Sequence, residues 1–201
     1  MADERDAELW LVRHGETEWS RDGRHTSTTE LDLTDNGVEV ACTLKERLAG
    51  TSFDLVLTSP RHRARRTADL AGFADAEVDD DLVEWDYGDY EGITTAEIRT
   101  ERPDWFLWRD GCPGGESAAD VGARVDPLVE GLKAGEGPVA LFAHGHLLRV
   151  LTARWLGLPP QDGALFALST ATLSVLGFER ETAVITRWNA PAADVPSAIP
   201  Q

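Results

Sequence analysis

Short apolar runs alternate with amphipathic segments along most of the chain. Residues 9–12, 53–58 and 139–143 are apolar runs of the length that buried strands have. Apolar residues at helical spacing follow each run, which is typical of a sheet of parallel strands covered by helices. We therefore expect an α/β fold: a single three-layer α/β/α domain with a mixed, mostly parallel sheet and helices on both faces.

Capping and turn residues give approximate bounds for the other elements. Such a residue precedes apolar positions at helical spacing at the start of four predicted helices, namely Thr34, Ser59, Thr94 and Ser117, and a further helix is predicted from Leu147 to Leu156. Residues 16–33 lack a clear period, so we expect a loop there. Further strands are predicted at residues 76–83, 165–168, 172–178 and 183–188, the last two of them antiparallel.

The chain has 201 residues, which is enough for one sizeable core. We expect one domain over residues 1–189 and a disordered tail, rich in Ala and Pro, over residues 190–201. No run approaches the roughly 18 apolar residues that cross a membrane, and the charged N-terminus does not resemble a signal peptide. Cys42 and Cys112 are the only cysteines, so no disulfide framework is implied, and Cys42 is predicted to lie in the core. These features favour a cytoplasmic protein.

The formal net charge is −17, which argues against binding to nucleic acid or to an anionic membrane. Local basic clusters are therefore informative. Residues 61–66 hold four of the 19 lysines and arginines, and the cluster is either a solvated helix face or part of an anion site. Both interpretations stay open at this point.

Several chemically active residues follow the predicted strands directly. Arg13, His14 and Gly15 end the first strand, and His144, Gly145 and His146 end the strand at residues 139–143. Ligands of α/β folds bind at the carboxyl ends of the strands, so we expect these residues to share one site. Arg63 and Glu84 follow the second and third predicted strands and are expected to join them.

Two arginines and two histidines around one point suit a phosphoryl group. Guanidinium groups bind phosphate oxygens bidentately and stay charged. A histidine beside two arginines has its protonated form disfavoured, and neutral imidazole is the form that acts as a nucleophile. A nearby carboxylic acid can protonate the leaving oxygen.

Four segments in order resemble the histidine phosphatase superfamily, also called the phosphoglycerate mutase-like family. They are Leu11 to Trp19 with its Arg-His-Gly, Ser59-Pro60 through Arg63 to Thr67-Ala68, Leu82-Val83-Glu84 with the following Gly88 and Glu91-Gly92, and Ala143-His144-Gly145. The resemblance spans most of the chain, so residues 1–189 are expected to form the catalytic domain.

The resemblance implies a metal-independent phosphatase that needs no cofactor and acts on a small phosphorylated molecule. His14 would be the phosphorylated nucleophile and Glu84 the proton donor to the leaving alcohol. Arg13, Arg63, His144 and Gly145 would hold the phosphoryl group. Water would then hydrolyse the phosphohistidine, and the arginines would neutralise charge that Mg²⁺ neutralises in many phosphoryl transferases.

The loop from Trp19 to Thr26 and the segment 111–117 resemble a branch of small phosphatases, which includes sedoheptulose bisphosphatase-type enzymes and acid phosphatases. Substrate-binding side chains are expected there and after the last parallel strand, at Ser20, Arg24, Thr26 and His146. Ser20 stands where many members have Asn, Ser27 where Gly is usual, and His146 where Gly is frequent.

Alternatives remain at this level. The chain could be a cofactor-dependent phosphoglycerate mutase, although the mutases are typically longer. It could also be a phosphate-binding module without turnover, or His144 and His146 could chelate a metal. The aromatic segment 85–115 is expected to be a lid or a pocket wall rather than a simple roof over the core. The sequence does not decide between a monomer and a homodimer.

Overall fold

Six strands form one mixed sheet in the computed structural model, which describes residues 7–191. The strands are β1 (Glu8–Arg13), β2 (Leu55–Thr58), β3 (Glu77–Val78), β4 (Pro138–Ala143), β5 (Thr172–Glu179) and β6 (Thr182–Pro191). Their order across the sheet is β3-β2-β4-β1-β5-β6. The first four strands are parallel, whereas β5 runs antiparallel to β1 and to β6. The predicted fold class is confirmed.

Seven α-helices accompany this sheet within residues 7–191. They are α1 (Glu18–Asp22), α2 (Asp35–Leu48), α3 (His62–Leu70), α4 (Thr95–Glu101), α5 (Leu107–Asp110), α6 (Ala118–Ala134) and α7 (Gly145–Trp155). Thr34, Thr94 and Ser117 accept a backbone N–H of the first turn at α2, α4 and α6, as their capping role predicts.

The central strands β1 and β4 are covered on both faces. Leu9 and Leu11 belong to one buried cluster with residues of α6 and α7, whereas Val12 belongs to a second cluster with residues of α2 and α3. This alternation follows from the two-residue period of a strand, because successive side chains point to opposite faces. The carboxyl ends of β1, β2 and β4 therefore meet at one edge, between the two helical layers.

The structure corrects several predicted elements near the site. The segment 16–33 is not all loop: α1 lies within it, because Thr17 and Ser20 form a reciprocal capping box. The helix predicted from Ser59 begins at His62, after Ser59 and Pro60 have turned the chain. The strand predicted at residues 53–58 begins at Leu55. The strand predicted at 76–83 is reduced to β3, because Asp79 caps a 3-10 turn at Asp80–Leu82.

Further corrections concern the C-terminal third and Cys42. Residues 165–168 are not a strand; a 3-10 helix runs from Pro160 to Leu165, and Arg149 holds the carbonyl oxygens of Gly163 and Ala164. Strand β6 reaches Pro191, two residues into the predicted tail, and residues 192–201 lie outside the described residues. Cys42 is exposed rather than buried, because it lies beside the apolar stripe of α2 and not on it. Among residues 7–191 no helix is long and apolar enough to cross a bilayer.

Candidate active site

The sheet edge brings the predicted residues together. Arg13 ends β1 and His14 follows it, Arg63 lies in the first turn of α3 after β2, and His144 follows β4. Because β2, β4 and β1 are adjacent in the sheet, their ends converge. The imidazole rings of His14 and His144 stand edge to face with centroids 5.2 Å apart.

His14 is buried and oriented by its own loop. Its Nδ1–H donates to the carbonyl oxygen of Gly15 at 2.8 Å, which leaves the Nε2 lone pair free. Burial, and then the charges of Arg63 and Arg13, hold the pKa of His14 well below its usual value of 6.5. The imidazole is therefore neutral at physiological pH, and Nε2 is its nucleophilic atom.

Gly15 connects this loop to two helices. Its N–H donates to Thr67 Oγ1 at 2.9 Å, and the Thr67 hydroxyl donates in turn to the Arg63 carbonyl at 2.7 Å. A Cβ on Gly15 would lie 2.8 Å from the carbonyl oxygen of Gly37 in α2, closer than backbone atoms tolerate. A side chain at this position would therefore push α2 away from the loop that carries His14.

Arg63 is completely buried and is held by backbone carbonyls. Its Nη1 donates to Thr29 O at 3.2 Å, and its Nη2 donates to Thr26 O at 3.2 Å and to Ser27 O at 3.1 Å. Its Nε–H has no partner among the described residues. Burial lowers the pKa of Arg63, and Glu84 opposes that shift.

Arg13 lies against the backbone of Gly145. A Cβ at Gly145 would come within 3.2 Å of the Arg13 guanidinium carbon, so glycine is what allows the guanidinium to lie flat there. Arg13 Nη1 donates to the carbonyl oxygen of Leu168, and its Nε–H is buried without a partner in the described part of the chain. Burial lowers the pKa of Arg13 while the charge of Glu84 raises it.

His144 completes the cluster of buried donors. Its Nε2 lies 2.8 Å from the Ser59 hydroxyl, whereas its Nδ1 is buried with no partner in residues 7–191. Burial and then Arg63 hold the pKa of His144 well below 6.5. A buried polar atom without a partner costs roughly 1–3 kcal/mol. The unpartnered Nε–H groups of Arg13 and Arg63 therefore favour an anion that accepts their hydrogen bonds, and His144 Nδ1 is a third donor in the tautomer in which Ser59 donates to Nε2.

Glu84 is buried on the opposite side of the cluster, against the N-terminus of α7. Its Oε1 accepts the N–H groups of Trp85 at 2.9 Å and Leu147 at 2.8 Å, and its Oε2 accepts that of His146 at 3.0 Å. A helix N-terminus is a favourable place for a carboxylate. Arg124 holds the backbone just before Glu84 in place, because it donates to the Val83 carbonyl and forms an ion pair with Glu116.

A cavity of about 200 Å³ opens onto this cluster. Its lining includes eight of the residues that the sequence singled out: Arg13, His14, Ser20, Arg24, Thr26, Glu84, Gly145 and His146. Arg63 and His144 do not line it, because they are completely buried behind His14. A larger cavity of about 420 Å³ lies at the amino ends of the strands, where Leu55, Leu128 and Leu132 line it, far from these groups.

Sequence reasoning missed four side chains of the lining, Tyr87, Thr95, Arg149 and Leu168, and missed the contact of Ser59 with His144. One signal was available for Arg149, because it lies three residues after His146 on α7 and so shares its helix face. Tyr87 gave no such signal, since it lies in an irregular turn after Glu84.

Only part of the basic cluster at residues 61–66 serves the site. Arg63 points inward, while Arg61 pairs with Glu30 at 3.4 Å and Arg66 pairs with Asp69 at 2.6 Å. The cluster therefore does not act as one unit: Arg63 is buried beside His14 and His144, whereas Arg61 and Arg66 make ion pairs.

The aromatic segment is a packed wall of the cavity rather than a loose cover. Trp85, Trp105 and Trp108 are buried in the main core cluster.

The two histidines that could chelate a metal have different hydrogen-bond partners. His146 Nδ1 lies 2.6 Å from the Tyr87 hydroxyl, whereas His144 Nε2 lies 2.8 Å from the Ser59 hydroxyl. Within residues 7–191 no three His, Cys, Asp or Glu side chains are grouped as metal ligands.

Glu91 holds the loop that in turn holds Arg63. Its carboxylate accepts the N–H of Ser27 with both oxygens, at 2.8 and 3.0 Å, and that of Thr29 at 2.9 Å. We expect Glu91→Ala to release these amides and to weaken the binding of inorganic phosphate about tenfold or more, since hydrogen bonds to a charged group are worth roughly 1.5–3 kcal/mol each. Calorimetric titration with phosphate measures the effect.

The matched control for Glu91 is Glu101→Ala, which removes an exposed carboxylate at the end of α4. Glu91→Gln keeps one accepting oxygen and is expected to lose less affinity than Glu91→Ala. Equal phosphate affinity in Glu91→Ala and the unaltered protein would contradict this role.

Comparison with known proteins agrees with this geometry. A family model described as "Histidine phosphatase superfamily (branch 1)" matches residues 9–191. An acid phosphatase of Mycobacterium tuberculosis is 45% identical over 90% of this chain and 93% of its own length. The sedoheptulose 1,7-bisphosphatase of Saccharomyces cerevisiae is 38% identical over 75% of this chain and 68% of its own length.

Relatives with another activity also match. A 2,3-bisphosphoglycerate-dependent phosphoglycerate mutase of Bartonella bacilliformis is 31% identical over 89% of this chain and 96% of its own length. Among solved structures, the product of a Mycobacterium tuberculosis open reading frame superimposes with a TM-score of 0.90 at 42% identity, covering 94% of this chain and all of that one.

Proposed function

The chain belongs to branch 1 of the histidine phosphatase superfamily and is a phosphoric monoester hydrolase, and we propose that it acts through a phosphohistidine on His14 without a metal ion. One observation carries the proposal. The neutral His14, with Nε2 free, stands beside three buried nitrogens that have no partner among the described residues.

In the first step the Nε2 lone pair of His14 forms a bond to phosphorus while the bond between phosphorus and the leaving oxygen breaks. Glu84 gives its proton to that oxygen. Its Oε1 already accepts two hydrogen bonds and its Oε2 accepts one, so Oε2 is the oxygen with a lone pair left to carry the proton. Arg13, Arg63 and His144 stabilise the charge on the phosphoryl oxygens.

In the second step water attacks the phosphohistidine. Glu84, now ionised, takes a proton from the water, and the bond between phosphorus and His14 Nε2 breaks. Inorganic phosphate leaves and His14 returns to its neutral form. Two arginines next to the transferring group supply the charge neutralisation that Mg²⁺ supplies in many phosphoryl transferases, which supports a metal-independent reaction.

The cavity favours a small substrate with a second anionic group, such as a sugar phosphate or a phosphoglycerate-like molecule. Arg24 and Arg149 line it in addition to the phosphoryl cluster. Arg149 stacks on Trp108 with 4.6 Å between the guanidinium carbon and the ring centroid, and its Nε and Nη2 are taken by carbonyls. Its Nη1 has no partner within residues 7–191 and is left for a substrate. The yeast relative is named a bisphosphatase, which agrees with this substrate class.

Phosphate release over a panel of esters tests the function. The panel contains p-nitrophenyl phosphate, 3-phosphoglycerate, fructose and sedoheptulose bisphosphates, and nucleotides, all with EDTA present. EDTA-resistant release is the expected result. Interconversion of phosphoglycerates faster than phosphate release would instead identify a mutase, the second candidate, which the mutase relatives favour. No reaction in either assay would contradict both enzymatic functions and favour a phosphate-binding module without turnover.

Replacing Arg149 tests the second anionic group. We expect Arg149→Met to raise KM for a bisphosphate about 10- to 100-fold, which is the range of a hydrogen bond to a charged group. KM for p-nitrophenyl phosphate, which has one phosphate only, is expected to change little. The control is Arg65→Met on the exposed face of α3. An equal rise of KM for both esters would contradict a site for a second anion.

A further inference from the structure

One pair of side chains at the cavity has no role in the reaction as described above. The Tyr87 hydroxyl and His146 Nδ1 are 2.6 Å apart, and both residues line the cavity. Three aromatic rings surround the imidazole of His146: Trp108 at 5.4 Å between centroids, Tyr87 at 5.9 Å and Trp85 at 6.3 Å. The ring is therefore fixed by packing as well as by the hydrogen bond.

The direction of this hydrogen bond follows from the protonation of its two groups. Burial and then the nearby charge of Glu84 raise the pKa of Tyr87 well above its usual value of 10, so the phenol keeps its proton. Burial and then the charge of Arg149 hold the pKa of His146 well below 6.5, so the imidazole is neutral. Two neutral groups can share a hydrogen bond in either direction, but the Tyr87 hydroxyl has no other acceptor for its proton among residues 7–191, so we assign the phenol as the donor to Nδ1 and the single imidazole proton to Nε2.

The other ring nitrogen of His146 is left for a molecule in the cavity. Its Nε2 has no hydrogen-bond partner among residues 7–191. The atom is not fully buried either, so a molecule in the cavity can reach it. The backbone N–H of the same residue holds Glu84 Oε2, the oxygen assigned to the proton transfer. The His146 ring therefore lies on the side of the cavity where the leaving group must sit.

We propose that His146 binds the leaving group of the substrate through its Nε2–H, and that Tyr87 is a positioning residue that fixes this tautomer. The group it recognises is a hydrogen-bond acceptor, a hydroxyl or carboxylate oxygen near the scissile ester, and this inference rests on the proposed phosphatase function. It adds a neutral donor to a cavity that Arg13, Arg24 and Arg149 also line. It makes His146 a specificity-determining residue rather than an acid, a base or a metal ligand.

Two esters that differ only in the acceptor test this role. Glycerol 3-phosphate carries hydroxyls next to the ester, and propyl phosphate has the same carbon chain without them. We expect kcat/KM of the unaltered enzyme to favour glycerol 3-phosphate about three- to tenfold, the range of one neutral hydrogen bond. Tyr87→Phe and His146→Phe are expected to abolish this preference, so that kcat/KM for glycerol 3-phosphate equals kcat/KM for propyl phosphate within each variant.

The chain offers a matched control in Tyr90→Phe, which removes a hydroxyl that contacts Arg102 outside the cavity. The preference should survive in this variant. No preference in the unaltered enzyme, or an unchanged preference in Tyr87→Phe, would overturn the proposal. Absence of phosphate release from both esters in the unaltered enzyme would instead contradict the phosphatase function itself.

The tautomer gives a second readout that does not depend on turnover. Long-range ¹H–¹⁵N correlation spectra distinguish a protonated ring nitrogen from one with a lone pair. We expect His146 to show the proton on Nε2 at neutral pH, and the Tyr87→Phe variant to show a mixture of both forms. A proton on Nδ1 in the unaltered protein would overturn the proposal even if the substrate preference were present, because Tyr87 could not then be the donor.

Discussion

His14→Ala is expected to lower the turnover of every phosphate ester by roughly 10⁴-fold or more, which is the scale of removing a covalent nucleophile. The remaining arginines would still bind the ester, so KM should change far less than kcat. Rapid quenching in alkali, where phosphohistidine persists, should trap a labelled phosphoenzyme in the unaltered protein and none in the variant. Stopped assays of phosphate release give the turnover.

His62→Ala is the matched control, because His62 is exposed and pairs with Asp32 outside the site. Its turnover should equal that of the unaltered enzyme. The low pKa of His14 adds a pH test: since the imidazole is still neutral when the pH falls through 6.5, the phosphorylation step should not lose half its rate there. Turnover above about 1% in His14→Ala would rule out His14 as the nucleophile, given the loss expected on its removal.

Glu84→Gln is expected to slow the hydrolysis of alkyl phosphates by about 10²- to 10⁴-fold, the usual contribution of a general acid. An alkoxide leaves poorly without a proton, whereas p-nitrophenolate leaves without one. The loss for the first step should therefore be much smaller with p-nitrophenyl phosphate. Single-turnover rates with the two ester classes measure this difference directly.

Glutamine at position 84 retains one carbonyl oxygen to accept backbone N–H groups, so the turn that carries the residue should keep its place. Glu46→Gln on the exposed face of α2 controls for the change of charge. If Glu84→Gln slowed the phosphorylation step equally for both ester classes, Glu84 would not be the acid.

Residues directly after apolar strands could be placed from the sequence. Arg13, His14 and His144 directly follow apolar runs that are predicted to be buried strands. The carboxyl ends of parallel strands lie at one edge of the sheet, so this rule brings the three residues together. The family match confirms what the order of the four segments indicated. The strand that the sequence predicts before Glu84 is only the two-residue β3, followed by a 3-10 turn, so the rule of strand ends does not hold for Glu84 and the resemblance is the sounder ground for placing it.

Contacts that run through backbone atoms could not be placed in this way. The carbonyls of Thr26, Ser27 and Thr29 hold Arg63, and no side-chain pattern records a carbonyl. The roles of Tyr87 and Glu91 depend on an irregular turn whose shape is set by packing, for example by the close approach of Gly88 to the carbonyl oxygen of Pro113. Such turns follow no period, so their side chains could be assigned only from coordinates.

The position of β1 in the centre of the sheet has a consequence for how the chain folds. Glu8 pairs with Pro138 of β4, and Leu9 lies opposite Leu176 of β5, so both neighbours of the first strand come from the second half of the chain. During synthesis the apolar β1 must wait for β4 and β5 before it is covered. Pairings between such distant segments form slowly and leave strand edges open to aggregation meanwhile. His14 therefore leaves the ribosome before β4 and β5, and the site around it can assemble only after those strands have followed.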